Sequence, residues 1–133
     1  MSALDLVRAT ILDIADIVAE VGDRLYFLEA PQRPELPALV LHLIDERDEL
    51  MLNGAGRYPM ARFIVDCLAP SFGSANALGD LVKEALCSWK GEVDGYTGYF
   101  LPSEVDHFDR GEGSGITRRR LGFSARYRVS SSL

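Results

Sequence analysis

Histidine and cysteine are scarce in this 133-residue chain, which offers only His42, His107, Cys67 and Cys87. The two cysteines stand twenty residues apart with no companion Cys and no close His. That excludes the common zinc spacings and a disulfide framework, and the thiols read as buried and reduced. No apolar run reaches the roughly 18 residues that a membrane-crossing helix needs. The first residues carry acids where a signal peptide would carry a basic stretch followed by an apolar one, so a protein cytosolic where it is made is expected. No Gly-x-Ser-x-Gly elbow and no Gly-Lys-Ser or Gly-Lys-Thr phosphate loop occurs.

What the chain does have is the composition of one soluble domain. It is 47% hydrophobic and 26% charged, with a mean hydropathy of +0.03. A length of 133 residues suits one core and leaves no room for two, so a single domain over residues 1–133 is expected. The net charge of −6 is unevenly spread. Residues 1–115 hold all 20 acids and nine bases, a net of −11, while residues 116–133 hold five arginines and no acid, a net of +5. A nucleic-acid binder is more often basic overall. The split instead invites pairing between copies, beside the plainer reading of a solvated strand face.

Along the chain, Leu4, Val7, Ile11, Ile14, Val18 and Val21 recur at spacings of three and four, which predicts one N-terminal helix stopped at Gly22. Leu12 and Ile17 widen its apolar surface and allow a second contact face. Residues 24–28 are β-prone, and the proline-rich stretch 30–37 reads as a loop. Residues 38–46 form an apolar strand, with Leu39, Leu41 and Leu43 on one face and Val40, His42 and Ile44 on the other. Residues 58–69 form a central strand, with Ala61, Phe63, Val65 and Cys67 inward and Arg62 and Asp66 outward. Ser71 or Ser74 caps a second helix whose apolar face carries Ala75, Leu78, Leu81, Val82, Ala85, Leu86 and Trp89.

Between the two strands, residues 46–57 run from charged residues through Leu50, Met51 and Leu52 to Asn53 and two glycines. Apolar residues in a flexible loop either tuck back onto the domain or order against a partner. The last third reads as a hairpin. Residues 99–108 are interrupted by Pro102, which requires an edge or a bulge, and a glycine-rich turn at 109–115 follows. Residues 116–129 then alternate, with Thr117, Leu121, Phe123, Ala125, Tyr127 and Val129 on one face and Arg118, Arg120, Arg126 and Arg128 on the other.

No set of residues assembles a catalytic constellation by spacing. His42 lies in an apolar strand and reads as a satisfied core or interface residue, and His107 lies beside Asp106 in a surface strand. Asp106 and Asp109 could hold a cation, but loop acids of this kind are more often solvated, and no calcium-loop pattern is present. No catalytic residue, cofactor or metal is therefore expected, and the chain does not read as an enzyme.

Several local sequences in a fixed order carry a family resemblance. They are Val21-Gly22-Asp23-Arg24-Leu25-Tyr26, Glu35-Leu36-Pro37-Ala38-Leu39-Val40, Asn53-Gly54, and Arg62-Phe63-Ile64-Val65-Asp66-Cys67-Leu68-Ala69. A helix from 75 to 89 and the final Leu121-Gly122-Phe123-Ser124-Ala125-Arg126-Tyr127 complete the set. Together they resemble the tail-completion, or tail-terminator, proteins of long-tailed phages, prophages and gene transfer agents. The resemblance implies an α+β fold, a mainly antiparallel sheet with two helices packed against it. It also implies a structural virion component, made in the host cytoplasm and later sited in the neck of the tail. Its partners would be itself as a homo-hexameric ring, the tail-tube protein and the head-to-tail connector, with double-stranded DNA passing through the hole without sequence recognition and no membrane involved. On that footing Leu50, Met51, Leu52 and Asn53 are expected in a tube-docking loop, and Arg118, Arg120, Arg126 and Arg128 at a subunit boundary or toward the lumen. The rival readings are a small ferredoxin-like ligand-binding or regulatory module and, last, a metal-independent enzyme using Asp and Tyr residues, which nothing in the spacing brings together.

Overall fold

The N-terminal apolar stripe folds as two helices in the computed structural model, which describes residues 3–31, 34–47, 59–87, 89–93, 95–110 and 115–129. Helix α1 spans Ala3–Leu12 and α2 spans Ala15–Val21. The expected single helix breaks because Ile14 takes an extended backbone, φ −98° and ψ 106°. The last turn of α1 tightens first, with Asp13 and Ile14 donating to the carbonyls of Thr10 and Ile11. The break shifts the phase of the stripe, so Ile17 is buried in place of Val18. Of the two residues that widened the sequence pattern, Ile17 is thus used in this chain's own core.

Among the described residues, six strands form one sheet in the order β1-β2-β3-β6-β5-β4. They are β1 (Leu25–Phe27), β2 (Ala38–Arg47), β3 (Met60–Ala69), β4 (Lys90–Val93), β5 (Tyr96–Arg110) and β6 (Thr117–Val129). The sheet is mixed: β1 runs parallel to β2, and the other pairings are antiparallel. Among the described residues the fold is therefore α+β with three helices, where two were expected. Strand β4 escapes the sequence pattern because four residues with a glycine show no apolar alternation, and it exists through its pairing with Tyr96–Tyr99.

Helix α3 spans Phe72–Leu86. It starts three residues earlier than the apolar spacing alone indicates, because Ser71 caps it and Ser74 reciprocates in a capping box. Its buried residues Ala75, Leu78, Val82 and Leu86 face the sheet. Trp89 lies beyond the helix and stacks on Phe100, ring centroids 4.9 Å apart. Phe63 at the sheet centre packs edge-on to Phe100 at 5.6 Å and stacks with Phe123 at 5.5 Å. The three helices and this face of the sheet enclose the core, and among the described residues no helix packs on the opposite, open face.

Candidate functional site

Strand β6 carries arginines on both faces, and they meet different surroundings. On the open face, β3 places Asp66 directly across from Arg120. Asp66 was expected to point to solvent. It does lie on the face opposite Phe63, but it is only 2% exposed because longer side chains close over it. Arg120 grips it with two parallel bonds, Nε to Oδ1 at 2.8 Å and Nη2 to Oδ2 at 3.0 Å. His42 from β2 reaches Oδ2 at 2.9 Å, and Arg118 lies 3.9 Å away. A buried carboxylate surrounded this way is satisfied by this chain's own cations. Hydrogen bonding to Asp66 holds the Arg120 guanidinium above its usual range.

Arg118 also bonds Asp109 across the β5–β6 pair, Nε to Oδ1 at 3.0 Å. That bond draws the Asp109 carboxyl below its ordinary value. Arg126 and Arg128 lie on the same face toward the end of β6, where Arg128 is exposed. The structure thus gathers the four arginines on one face. Arg118 and Arg120 bond acids of this same chain.

Arg119, unnoticed in the sequence pattern, sits on the core face between Thr117 and Leu121 and is 5% exposed. The strict alternation of β6 already assigned it that inward position. It donates through Nε and Nη2 to the two oxygens of Asp106 at 2.9 and 3.0 Å, and through Nη1 to Asp80 at 2.8 Å and the Asn76 carbonyl at 3.0 Å. Its guanidinium also lies 5.3 Å from the Phe108 ring centre. These bonds to two carboxylates raise its pKa. In return Asp106, which also accepts from Lys83 at 3.1 Å, is lowered to about 2. Asp106 and Asp109 are therefore committed to guanidinium groups, and this arrangement does not suit a cation site.

A large bulge positions Asp106. Between Pro102 and Asp106, three residues of β5 face the single residue Gly122 of β6. A Cβ on Gly122 would lie 2.3 Å from the Ser103 hydroxyl and 2.8 Å from Val105 Cβ, so the bulge closes only over a glycine. Of the edge position or bulge that Pro102 implied, the bulge is present, and it turns Asp106 inward to Arg119. His107 is exposed on the open face opposite Arg120.

Leu50, Met51, Leu52 and Asn53 lie outside the described residues. Their anchors are paired, Arg47 of β2 with Met60 of β3, so the segment leaves from and returns to one end of the sheet. The tip of the β5–β6 hairpin, 111–114, is likewise outside the described residues. Phe72 at the start of α3 and Phe108 on β5 pair with ring centroids 4.6 Å apart, beside an open cleft of about 480 Å³ that also touches Ser71 and Arg110. Among the described residues no helix is long and apolar enough to cross a membrane.

Comparison with known proteins fits this architecture. The family described as "Tail completion protein gp17" matches over residues 5–128. Among solved structures, a chain from "Virion of native gene transfer agent (GTA) particle" superposes with a TM-score of 0.66 at 20% identity, covering 91% of this chain and 90% of that one. At that identity the match speaks to the fold. No curated protein sequence matches. With nearly its whole length within the family's bounds, this chain is a phage tail structural protein that belongs to the tail completion protein gp17 family.

Proposed function

We propose that the protein caps the completed tail tube as a homo-hexameric ring and joins the tail to the head-to-tail connector, with double-stranded DNA passing through the central hole. The observation that carries this reading is the family match over residues 5–128. The chemistry of the open sheet face agrees with it. Arginines that already hold Asp66 and Asp109 bind phosphates weakly, which suits passage of DNA without sequence recognition. Arg118, Arg120, Arg126 and Arg128 of β6 would lie at a subunit boundary or along the lumen.

The segment 48–58 supplies the tube contact in this reading, with Leu50, Met51, Leu52 and Asn53 ordering against the tail-tube protein. Support comes from its attachment to paired strand residues, Arg47 and Met60, which present a loop from a rigid base. The test is mass determination of the protein alone and with assembled tail tubes. A ring on the tube end is expected, and tubes that bind no copies would refute the proposal.

A further inference from the structure

Strand pairing lines up one row of side chains across the open face, at the end of the sheet where β2 stops and β3 begins. Arg47 of β2 lies across from Met60 of β3, Met60 from Arg126 of β6, Arg126 from Tyr99 of β5, and Tyr99 from Lys90 of β4. Residues directly across a ladder share a face, so all five project to the side away from the helices. Arg128, two residues further along β6, projects to the same side. Arg47, Lys90 and Arg128 are exposed and, among the described residues, make no ion pair. The acids nearby are largely engaged: Asp45 is bonded to Arg62, and Glu46 accepts from the Tyr127 hydroxyl. Arg47, Lys90, Arg126 and Arg128 against Glu92 of β4 give this end of the face a net of +3.

The opposite charge is displayed on the helical side of the molecule. Helix α2 buries Ile17 and Val21, which turns Asp16 and Glu20 outward, and Asp13 and Asp23 flank the helix. All four are exposed and, among the described residues, make no ion pair. Arg24 lies beside them, with its guanidinium turned to the carbonyl oxygens of Glu20 and Pro37. Residues 13–24 hold these four acids and Arg24, a net of −3.

The two surfaces match in extent as well as in charge. The basic row crosses four inter-strand steps of about 4.8 Å, hence about 19 Å. Residues 13–23 cover about 15 Å when counted at the helical rise of about 1.5 Å per residue. Duplex DNA is the competing polyanion, and at one charge per about 1.7 Å it sets about eleven phosphates against the length of the row. A net of +3 on a chain of net −6 neutralises few of them. It fully balances a stripe of net −3.

We infer that the basic end of the open face, marked by Arg47, Lys90 and Arg128, seats the Asp13–Asp16–Glu20–Asp23 stripe of a second copy. Two unlike surfaces on opposite sides of one chain join head to tail, and such contacts close into a ring when the rotation fits. This rests on the ring reading above and deepens it, because it sets Arg126 and Arg128 at the subunit boundary and not along the lumen. Exposed ion pairs are individually weak, so the contact needs several at once and loosens with salt.

The experiment is sedimentation of the full-length protein over a concentration series at low and at high salt, without tail tubes. One variant reverses the basic end, Lys90→Glu with Arg128→Glu, and the other reverses the acidic stripe, Asp13→Lys with Glu20→Lys. Positions 13 and 20 stand at helix C-terminal ends, where a cation suits the helix dipole, so melting temperatures should hold near the wild-type value. The wild type is expected to associate at low salt and to weaken as salt rises. Each variant alone should associate roughly tenfold or more weakly, since several surface pairs turn repulsive together. An equimolar mixture should regain wild-type association, because every junction then joins either two native surfaces or two reversed ones. A mixture as weak as its components, variants that associate like the wild type, or association indifferent to salt would overturn the pairing. So would a wild type that stays monomeric throughout, or one that binds a DNA duplex through the basic end without associating. The binding of copies to tail tubes would still test the ring reading on its own.

Discussion

Gly79 of α3 and Arg119 of β6 are in such close contact that a Cβ on Gly79 would lie 2.5 Å from Arg119 Cδ and 2.7 Å from Nη1. The missing side chain lets a buried guanidinium run under the helix to Asn76 and Asp80 while its other edge holds Asp106. Helix, bulge and central strand are fastened at one point.

Gly79→Ala should therefore destabilise the protein, although alanine favours a helix interior by about 1 kcal/mol over glycine. The clash falls on a side chain held by several bonds, which costs about 1–3 kcal/mol when a packed site is overfilled. Urea denaturation of the two proteins checks the sign, and a more stable variant would show that Arg119 moves aside freely.

Acid should loosen the same junction. Asp106 titrates at about 2 in the folded protein against 3.8 for an ordinary aspartate, and Asp109 is lowered in the same direction. A carboxylate with a depressed folded value adds stability above its unfolded value, and loses it as pH falls through the folded value. Melting temperature should thus drop as pH falls from about 4 toward 2, and Asp106→Asn should flatten that slope.

Arg120→Ala leaves Asp66, a buried carboxylate, with weaker company. The expected cost is about 2–3 kcal/mol, below that of a fully unpaired buried charge because His42 still reaches Oδ2. Adding Asp66→Asn to the variant should recover part of the loss, measured by thermal denaturation. Charge reversal at Arg120 would disturb the fold itself, so reversal at the exposed Arg128, Arg128→Glu, is the cleaner probe of the arginine face. Under the proposed reading that substitution leaves the melting temperature near wild type and lowers infectivity.

Deletion of residues 48–56 should leave the sheet and its melting transition intact, since Arg47 and Met60 already meet at the strand ends. Tube capping should be lost. A deletion variant that still caps would assign the tube contact elsewhere.

Much of this architecture is written in short-range pattern. The alternation of Phe63, Val65 and Cys67, and that of Leu121, Phe123 and Ala125, places the central strands and their inward faces. Ser71 marks the start of α3, and Pro102 marks the bulge. What escaped depends on contacts distant in sequence. The break at Ile14 answers to a core that needs Ile17, which the uninterrupted spacing from Leu4 to Val21 conceals. Strand β4 is defined by its partner strand. Asp66 became a buried carboxylate through residues 24 and 54 positions away, His42 and Arg120, and no local pattern announces that. Arg119 was legible in the alternation of β6, but its acids come from α3 and from a bulge whose register shift the sequence does not display.

The most direct test of a ring that caps the tube and joins it to the head is electron microscopy of tails assembled with and without this protein. Without it, the account predicts tubes of unregulated length that fail to join heads, and with it, tubes ending in a ring of copies. Tails of normal length joined normally to heads in its absence would contradict the account.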